Sequence, residues 1–389
     1  MSLDWLIVGG GIHGVHIAAC LIGEGETTHE RLRIVDPARQ LLARWRACTA
    51  TTGMTHLRSP SVHHLDLDAW SLQRFAGKRR NRKRGLFAPP YERPSLALFN
   101  AHCDRVVESF KLGELHIQDR AETCTVDCDG VTVQTTDGRT LTAQNVVLAI
   151  GASEQPYWPV WAPQSHPCVR HIFEPSFDGW PSQDGETVAI VGGGLSAAQV
   201  ALRLSKEHHR VHLISRHALR QHQFDSDPGW LGKHMFRFSQ ERSFDRRRAM
   251  ISDARHRGSV PPDIRNALRR AINKGRITWH ETEIEDAVVG RDGLRLCLAH
   301  ADDLDVDRVL LATGFASERP GGAMVDELIA SASLPCARCG YPIVDAALRW
   351  HSRIVVSGPL AELELGPISR NIAGARRAGA RLITALRNG

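Results

Sequence analysis

The strongest constraint on how this 389-residue chain can fold is one device written twice. "WLIVGGGIHGVHIAACLIG" runs from Trp5 to Gly23, and "VAIVGGGLSAAQVALRLS" from Val188 to Ser205. Each reads as a buried strand, a three-glycine turn and an amphipathic helix. The start of such a helix offers unpaired N–H groups and a positive dipole end to a pyrophosphate. Gly9, Gly11 and Gly14 fill the places of G-x-G-x-x-G, where missing side chains permit the tight turn, close phosphate approach and close helix packing. The second copy has Gly192, Gly194 and then Ala197, an accepted third member. His13 and Ser196, in the first turns of the two helices, are expected to lie against the same ligands.

Composition narrows the class. The length accommodates about two or three domains of roughly 150 residues. With 42% hydrophobic and 24% charged residues, the chain reads as globular rather than disordered. No apolar run approaches the roughly 20 residues of a membrane span. "MSLDWLIVGG" passes from an acid straight into the first strand, unlike a secretory leader. A cytoplasmic protein without a membrane partner is expected. Much of the net charge of +6 traces to "GKRRNRKRG", Gly77 to Gly85, read as a solvated loop. Nucleic acid is not an expected partner, because no zinc finger, RNA-binding sheet motif or aromatic interleaving accompanies that run. The nine cysteines are odd in number and scattered, unlike a disulfide framework. Cys336 and Cys339 in "LPCARCGYP" have redox or zinc spacing, but no second pair is near, and no metal site is expected. Cys124 and Cys128 are expected on one face of a strand.

The strand after each helix separates the two copies. "RLRIVDPARQ" is a second strand ending in Asp36, about 20 residues past the turn, where an acid binds an adenosine ribose. "HRVHLISRHALRQ" occupies the same place in the second copy but ends in Ser215, Arg216 and His217. Arginine and serine pair with a 2′-phosphate that a carboxylate would repel. The first site therefore suits FAD and the second NADPH. Downstream, "VTVQTTDGRTLTAQNVVLAIGA" turns at Asp137-Gly138 and closes on Gly151, and "GLRLCLAHADDLDVDRVLLATGF" closes on Thr313 and Gly314. Both read as antiparallel excursions that return to a sheet. The expected fold is α/β, with two Rossmann-like dinucleotide-binding domains, the NADPH domain inserted within the FAD domain. Expected limits are 1–159 and 314–389 for the FAD domain and 160–313 for the NADPH domain. The latter carries a helical, arginine-rich insertion at about 218–275, read as a solvated surface or, alternatively, a substrate-side lid.

This organisation resembles the two-dinucleotide-binding flavoproteins, which include disulfide reductases and flavin monooxygenases. The resemblance rests on the paired glycine turns, Asp36, "LAIGA", "LATGF" and the closing "YPIVDAALRWHSRIVVSGPLAELELGPISRNIAGARRAGARLI". It implies that Gly358, Leu363 and Gly366 contact the flavin. In that superfamily "IVVSG" usually continues Gly-Asp, the acid binding the ribityl chain; here Gly358-Pro359 stands instead, leaving Glu362 or a backbone N–H to replace it. "TGMTHLRSPSVHHLD" and "HQFDSDPGWLG" look more specifically like the lysine and ornithine N-hydroxylases. That likeness implies a monooxygenase in which NADPH reduces FAD and a flavin hydroperoxide passes one oxygen atom to a soft nucleophile, a small amine or amino acid, with O2 as co-substrate. Homo-oligomers are common in such relatives. The first turn departs from the hydroxylases by having "IHG" where a proline is usual.

Within those segments, His56 and Arg58 are candidate catalytic cations, able to stabilise negative charge on a reduced ring. Asp225 and Asp227 are candidate partners of a substrate amine or of the nicotinamide amide, although Asp227-Pro228-Gly229 also reads as a turn. Two other functions stay open at the level of sequence. One is a disulfide or thiol oxidoreductase working through Cys336 and Cys339; the other is a flavoprotein sensor without turnover.

Overall fold

The computed structural model describes residues 3–78, 84–175, 177–207, 209–290 and 293–388. Residues 79–83, most of the basic run, lie outside that set. The first sheet is built around Leu3–Val8, whose Leu6 and Ile7 are wholly buried. A parallel strand covered on both faces must be apolar where it is buried, as Trp5–Val8 is here. It pairs in parallel with Leu32–Asp36 on one side and Thr140–Leu148 on the other. His116–Gln118 extends one edge, and Ile354–Val356, returning from far along the chain, pairs in parallel with Thr140–Leu148 at the other. Ala121–Val126 and Val131–Thr135 form the antiparallel excursion that leads into Thr140–Leu148 through Gly138, at φ +80°. Helix Ile12–Gly23 lies against the final helix, Ile372–Asn388. At their contact a Cβ on Gly379 would stand 2.8 Å from the Cys20 sulfur, so glycine sets the separation.

The second sheet is parallel throughout, in the order Ile277–Glu281, Arg210–Ser215, Thr187–Val191, Arg308–Leu311, Val169–His171. Its excursion, Ile284–Val289, Leu294–Leu298 and Leu304–Val306, stands apart as a small antiparallel sheet. The outgoing and returning crossovers run side by side, with Tyr157 N–H donating to the Gly314 carbonyl (3.0 Å) and Pro156 bridging Phe315. Trp158 and Trp161 pack on the second unit's core. Among the described residues no helix is long and apolar enough to cross a membrane.

Two expectations need correction. Cys128 lies past the end of strand Ala121–Val126 and is exposed, whereas Cys124 is buried within it, so they share no strand face. The arginine-rich stretch is not a solvated surface. Helix Pro262–Asn273 buries Leu268 and Ala271 beside helix Leu195–Leu204, in the second core. Residues 228–254 dock elsewhere: Trp230, Met235, Phe238 and Ile251 share a cluster with Tyr341, Leu363 and Ile368 of the closing segment. Glu362, fully buried there, receives Arg248 (2.8 Å), Arg255 (3.2 Å) and Arg370 (2.7 Å). Glu364 pairs with Arg247 (3.0 Å) and Arg381 (2.7 Å). A carboxylate out of water survives only with such partners.

Candidate functional site

The first turn is shaped by what its glycines exclude. Gly9 has φ +109°, and a Cβ there would stand 2.7 Å from the Ala149 carbonyl oxygen. A Cβ on Gly14 would run into the carbonyl of Gly9, so the helix seats directly on the turn. Gly11, by contrast, has open space around its missing Cβ, the face a phosphate would approach. Gly10 N–H donates to Asp36 Oδ2 at 2.6 Å and Ala38 N–H to Oδ1 at 2.9 Å. The expected ribose acid therefore also braces the turn. His13 is 9% exposed, with Nδ1 hydrogen-bonded to Ser357 Oγ at 2.8 Å, which ties the closing segment to the first helix. Burial, with His16 nearby, lowers its pKa to about 3, so the ring is neutral.

Gly358, at φ +71°, lies against the His13 ring, which places the closing turn beside the first glycine turn. Gly366, at φ +70°, lies instead against Trp230, and Leu363 is buried in the insertion cluster with its carbonyl accepting from Arg247 (2.9 Å). Glu362 spends both carboxylate oxygens on the three guanidinium groups, which removes it as the stand-in for the missing acid. Gly151 is exposed just past Thr140–Leu148. In the second unit Thr313 Oγ1 donates to the Tyr157 carbonyl, and Gly314 comes next at φ +84°.

The second turn repeats the pattern. A Cβ on Gly192 would stand 2.5 Å from the Ala312 carbonyl oxygen, while Gly194 has nothing nearer than 3.6 Å. Ser196 is half-buried at the helix start. Ser215 is only 3% exposed: its hydroxyl donates to the His217 carbonyl (3.0 Å) and accepts from Trp279 Nε1 (3.0 Å). The His217 ring covers Gly193 and Gly258. Arg216 is exposed, and its side chain has no partner among the described residues.

Of the four catalytic candidates, the structure brings two together. Arg58 Nη1 donates to Asp225 Oδ1 at 2.6 Å, and its Nε and Nη2 reach the carbonyls of Gln223 (2.8 Å), His222 (2.6 Å) and Phe224 (2.9 Å) and the Ser259 hydroxyl (2.9 Å). Burial pulls the Arg58 pKa below its ordinary value against the opposing pull of Asp225. His56 hydrogen-bonds neither, its Nε2 pairing with the Gly85 carbonyl (2.9 Å), although it lines the same small pocket as Arg58. Asp227 caps the short helix Pro228–Leu231, accepting from Gly229 N–H (2.7 Å), with His234 at 3.4 Å.

Sequence reasoning passed over Arg93 and Gln199. Arg93 is 2% exposed and pairs with Asp263 at 2.9 Å. Arg93 and Gln199 line a small pocket between the two units together with Thr55, His56, Arg58, Asp263 and Ile264. A lone arginine in "YERPS" gives no periodic signal; only its neighbours in space mark it. Cys336 and Cys339 are free thiols on a hairpin anchored by Ala337 and Tyr341, and burial raises the Cys336 pKa, opposite to an activated thiol.

Residues 6–234 match the pyridine nucleotide-disulphide oxidoreductase family. No curated protein sequence matches the chain significantly. Among solved structures it is similar to an ornithine N-hydroxylase from Kutzneria sp. 744, in complex with reduced FAD, NADP+ and L-ornithine, at 16% identity and TM-score 0.80, covering 100% of this chain and 99% of that one. It is also similar to the cadaverine monooxygenase of desferrioxamine biosynthesis from Erwinia amylovora, bound to FAD, at 15% identity and TM-score 0.77, covering 100% and 95%. A bacillithiol disulfide reductase from Bacillus cereus matches at 16% identity and TM-score 0.65, covering 100% and 99%. At these identities the likeness is one of fold.

Proposed function

The chain belongs to the pyridine nucleotide-disulphide oxidoreductase family, and from that premise we propose that it is an FAD- and NADPH-dependent monooxygenase that N-hydroxylates a small amine or amino acid. One observation carries the cofactor reading: the two glycine turns keep Gly11 and Gly194 open, one leading to Asp36 and the other to Arg216, which has no side-chain partner among the described residues. FAD fits the first turn, where Gly11 and the start of helix Ile12–Gly23 meet its pyrophosphate. NADPH fits the second, with Gly194 and Ser196 at the pyrophosphate and Arg216 on the 2′-phosphate. Bound there, FAD supplies hydride acceptance and oxygen activation. The protein's part is to hold the two dinucleotides in register and keep water out. The similarity in fold to an ornithine N-hydroxylase and a cadaverine monooxygenase supports a small amine as substrate, with O2.

No general base is required, because a neutral amine is itself the nucleophile. The rate should then rise with pH as the substrate amine deprotonates, and a profile indifferent to the amine's pKa would contradict this reading. The expected working location is the cytoplasm. The similarity to a bacillithiol disulfide reductase supports a second reading, thiol or disulfide chemistry through Cys336 and Cys339. A sensor without turnover is the third. NADPH oxidation by the FAD-loaded protein under air and under argon, with peroxide monitored and amines screened, separates them. Oxygen-dependent oxidation whose peroxide yield falls with one amine supports N-hydroxylation. Turnover under argon that needs a disulfide overturns it, and no NADPH consumption leaves the sensor.

A further inference from the structure

Three contacts cross from the flavin-side segments to the second unit, and they lie close together. Tyr91 packs at a tilt against Phe224, with ring centroids 5.0 Å apart and ring planes 49° from parallel. Arg93 pairs with Asp263 at the start of helix Pro262–Asn273. Between them Arg58 gathers five acceptors, four from residues 222–225 and one from Ser259. Its own base is rigid: the neighbouring backbone pairs with the chain before helix Leu96–Ser109, through Leu57 N–H to the Pro94 carbonyl and Leu96 N–H to the Thr55 carbonyl. That helix buries Phe99, Cys103 and Val106 in the first core.

The far end is braced as well. Arg220–Gln221 pairs with Ser259–Val260, His222 N–H donates to the Val260 carbonyl (3.1 Å), and His256 N–H to the Asp225 carbonyl (2.8 Å). The loop that Arg58 holds comes soon after strand Arg210–Ser215 and Arg216, the expected anchor of the NADPH phosphate. The Arg58 side chain is 10% exposed, so losing its acceptors would leave a guanidinium largely out of water.

We propose that Arg58 is a positioning residue, a latch that fixes the NADPH-binding unit against the flavin-side segment by holding loop 222–225. The inference rests on the monooxygenase reading for its kinetic consequence but not for its structural one. Although Arg58 lines the small pocket with His56 and Arg93, its Nε, Nη1 and Nη2 all donate to protein acceptors, so it acts through the loop rather than on a reacting atom. Hydride transfer requires the nicotinamide within contact distance of the flavin, and a displacement of about 1 Å costs on the order of a hundredfold in rate. A surface ion pair with no loop to hold would have no such consequence.

The test uses FAD-loaded wild type, Arg58→Ala, Arg58→Lys and Asp225→Asn, mixed anaerobically with NADPH while flavin absorbance is followed. Arg58→Ala should slow flavin reduction at saturating NADPH by roughly tenfold or more. The half-saturating NADPH concentration, the FAD content and the reoxidation of dithionite-reduced enzyme should stay near wild type. Lysine lacks the fork and should recover only part of the rate. Asp225→Asn, which removes one acceptor's charge of five contacts, should slow reduction by about threefold. Hydrogen exchange without ligand should rise over 222–225 in the same order, leaving residues 9–20 unchanged. Wild-type reduction and exchange in Arg58→Ala would overturn the latch; if that variant does not fold, unchanged rates and exchange in both milder variants do so. A wild type that never oxidises NADPH sinks the functional reading alone, since exchange still reads the latch.

Discussion

The two glycine turns share a backbone and differ in what stands behind it. In the first, a carboxylate lies under the turn: Asp36 accepts from Gly10 N–H, and the helix touches the Gly9 carbonyl through a position where only hydrogen fits. In the second, an imidazole lies there instead: the His217 ring covers Gly193, and Ala197 occupies the third place. Under the proposed cofactor assignment, the turn would meet a pyrophosphate in either setting, while the end of the next strand would set the charge that selects the rest of the ligand. Among the described residues Arg216 has no side-chain partner and Ser215 turns inward, so under the proposal the basic selector is one side chain rather than two.

The comparison breaks most visibly at its third position. Gly14→Ala should cost about 4 kcal/mol or abolish FAD retention, because its Cβ meets backbone that cannot yield. Ala197→Gly should cost less than about 1 kcal/mol, and chemical denaturation of the two variants reads the asymmetry. Next in size is the joint where the second unit's insertion docks on the first unit's closing segment. Glu362→Gln leaves three guanidinium groups around a neutral amide and should destabilise by about 3 kcal/mol in urea unfolding.

Arg216→Ala should raise the KM for NADPH by roughly thirtyfold and leave NADH nearly untouched, since the lost interaction is with a charged phosphate. Equal effects on both nucleotides would deny Arg216 its selecting role. The smallest effect comes from acidity. Burial leads the causes that lower His13 and His64 to about 3 and His16, His63 and His102 to about 4, all in the first-sheet half. Their folded pKa lies below the unfolded 6.5, so the unfolded chain binds more protons as pH drops. The stability they favour is full above 6.5 and is lost on acidification towards about 4. For His13 and His16, both on helix Ile12–Gly23, about 1 kcal/mol each should be lost between pH 6.5 and 5.5. Urea midpoints at the two pH values measure it, with fluorescence and hydrogen exchange showing whether the first-sheet half opens first.

The glycine turns, both central strands and the acid-versus-arginine contrast were legible because each is local, a matter of period and spacing within about 30 residues. The antiparallel excursions were legible for the same reason, down to the turn at Gly138. Arg58 was legible as a residue but not in its role, since its partners lie more than 160 positions away. Glu362 and the insertion arginines misled for a related reason: a charged residue reads as solvated until a distant opposite charge is placed beside it. Cys128 failed by two residues, the strand ending at Val126 before the alternation could carry it inward.

Strand Ile354–Val356 beside Thr140–Leu148 fixes an order of assembly on the ribosome. The second sheet, Val169 to Leu311, is drawn from contiguous chain and can close as it is made. The first sheet must wait across a gap of about two hundred residues, with its Val146–Leu148 edge unpaired and helix Ile12–Gly23 uncovered by helix Ile372–Asn388. The domain begun first is thus completed last, and overproduction is expected to fail through nascent chains aggregating at that open edge.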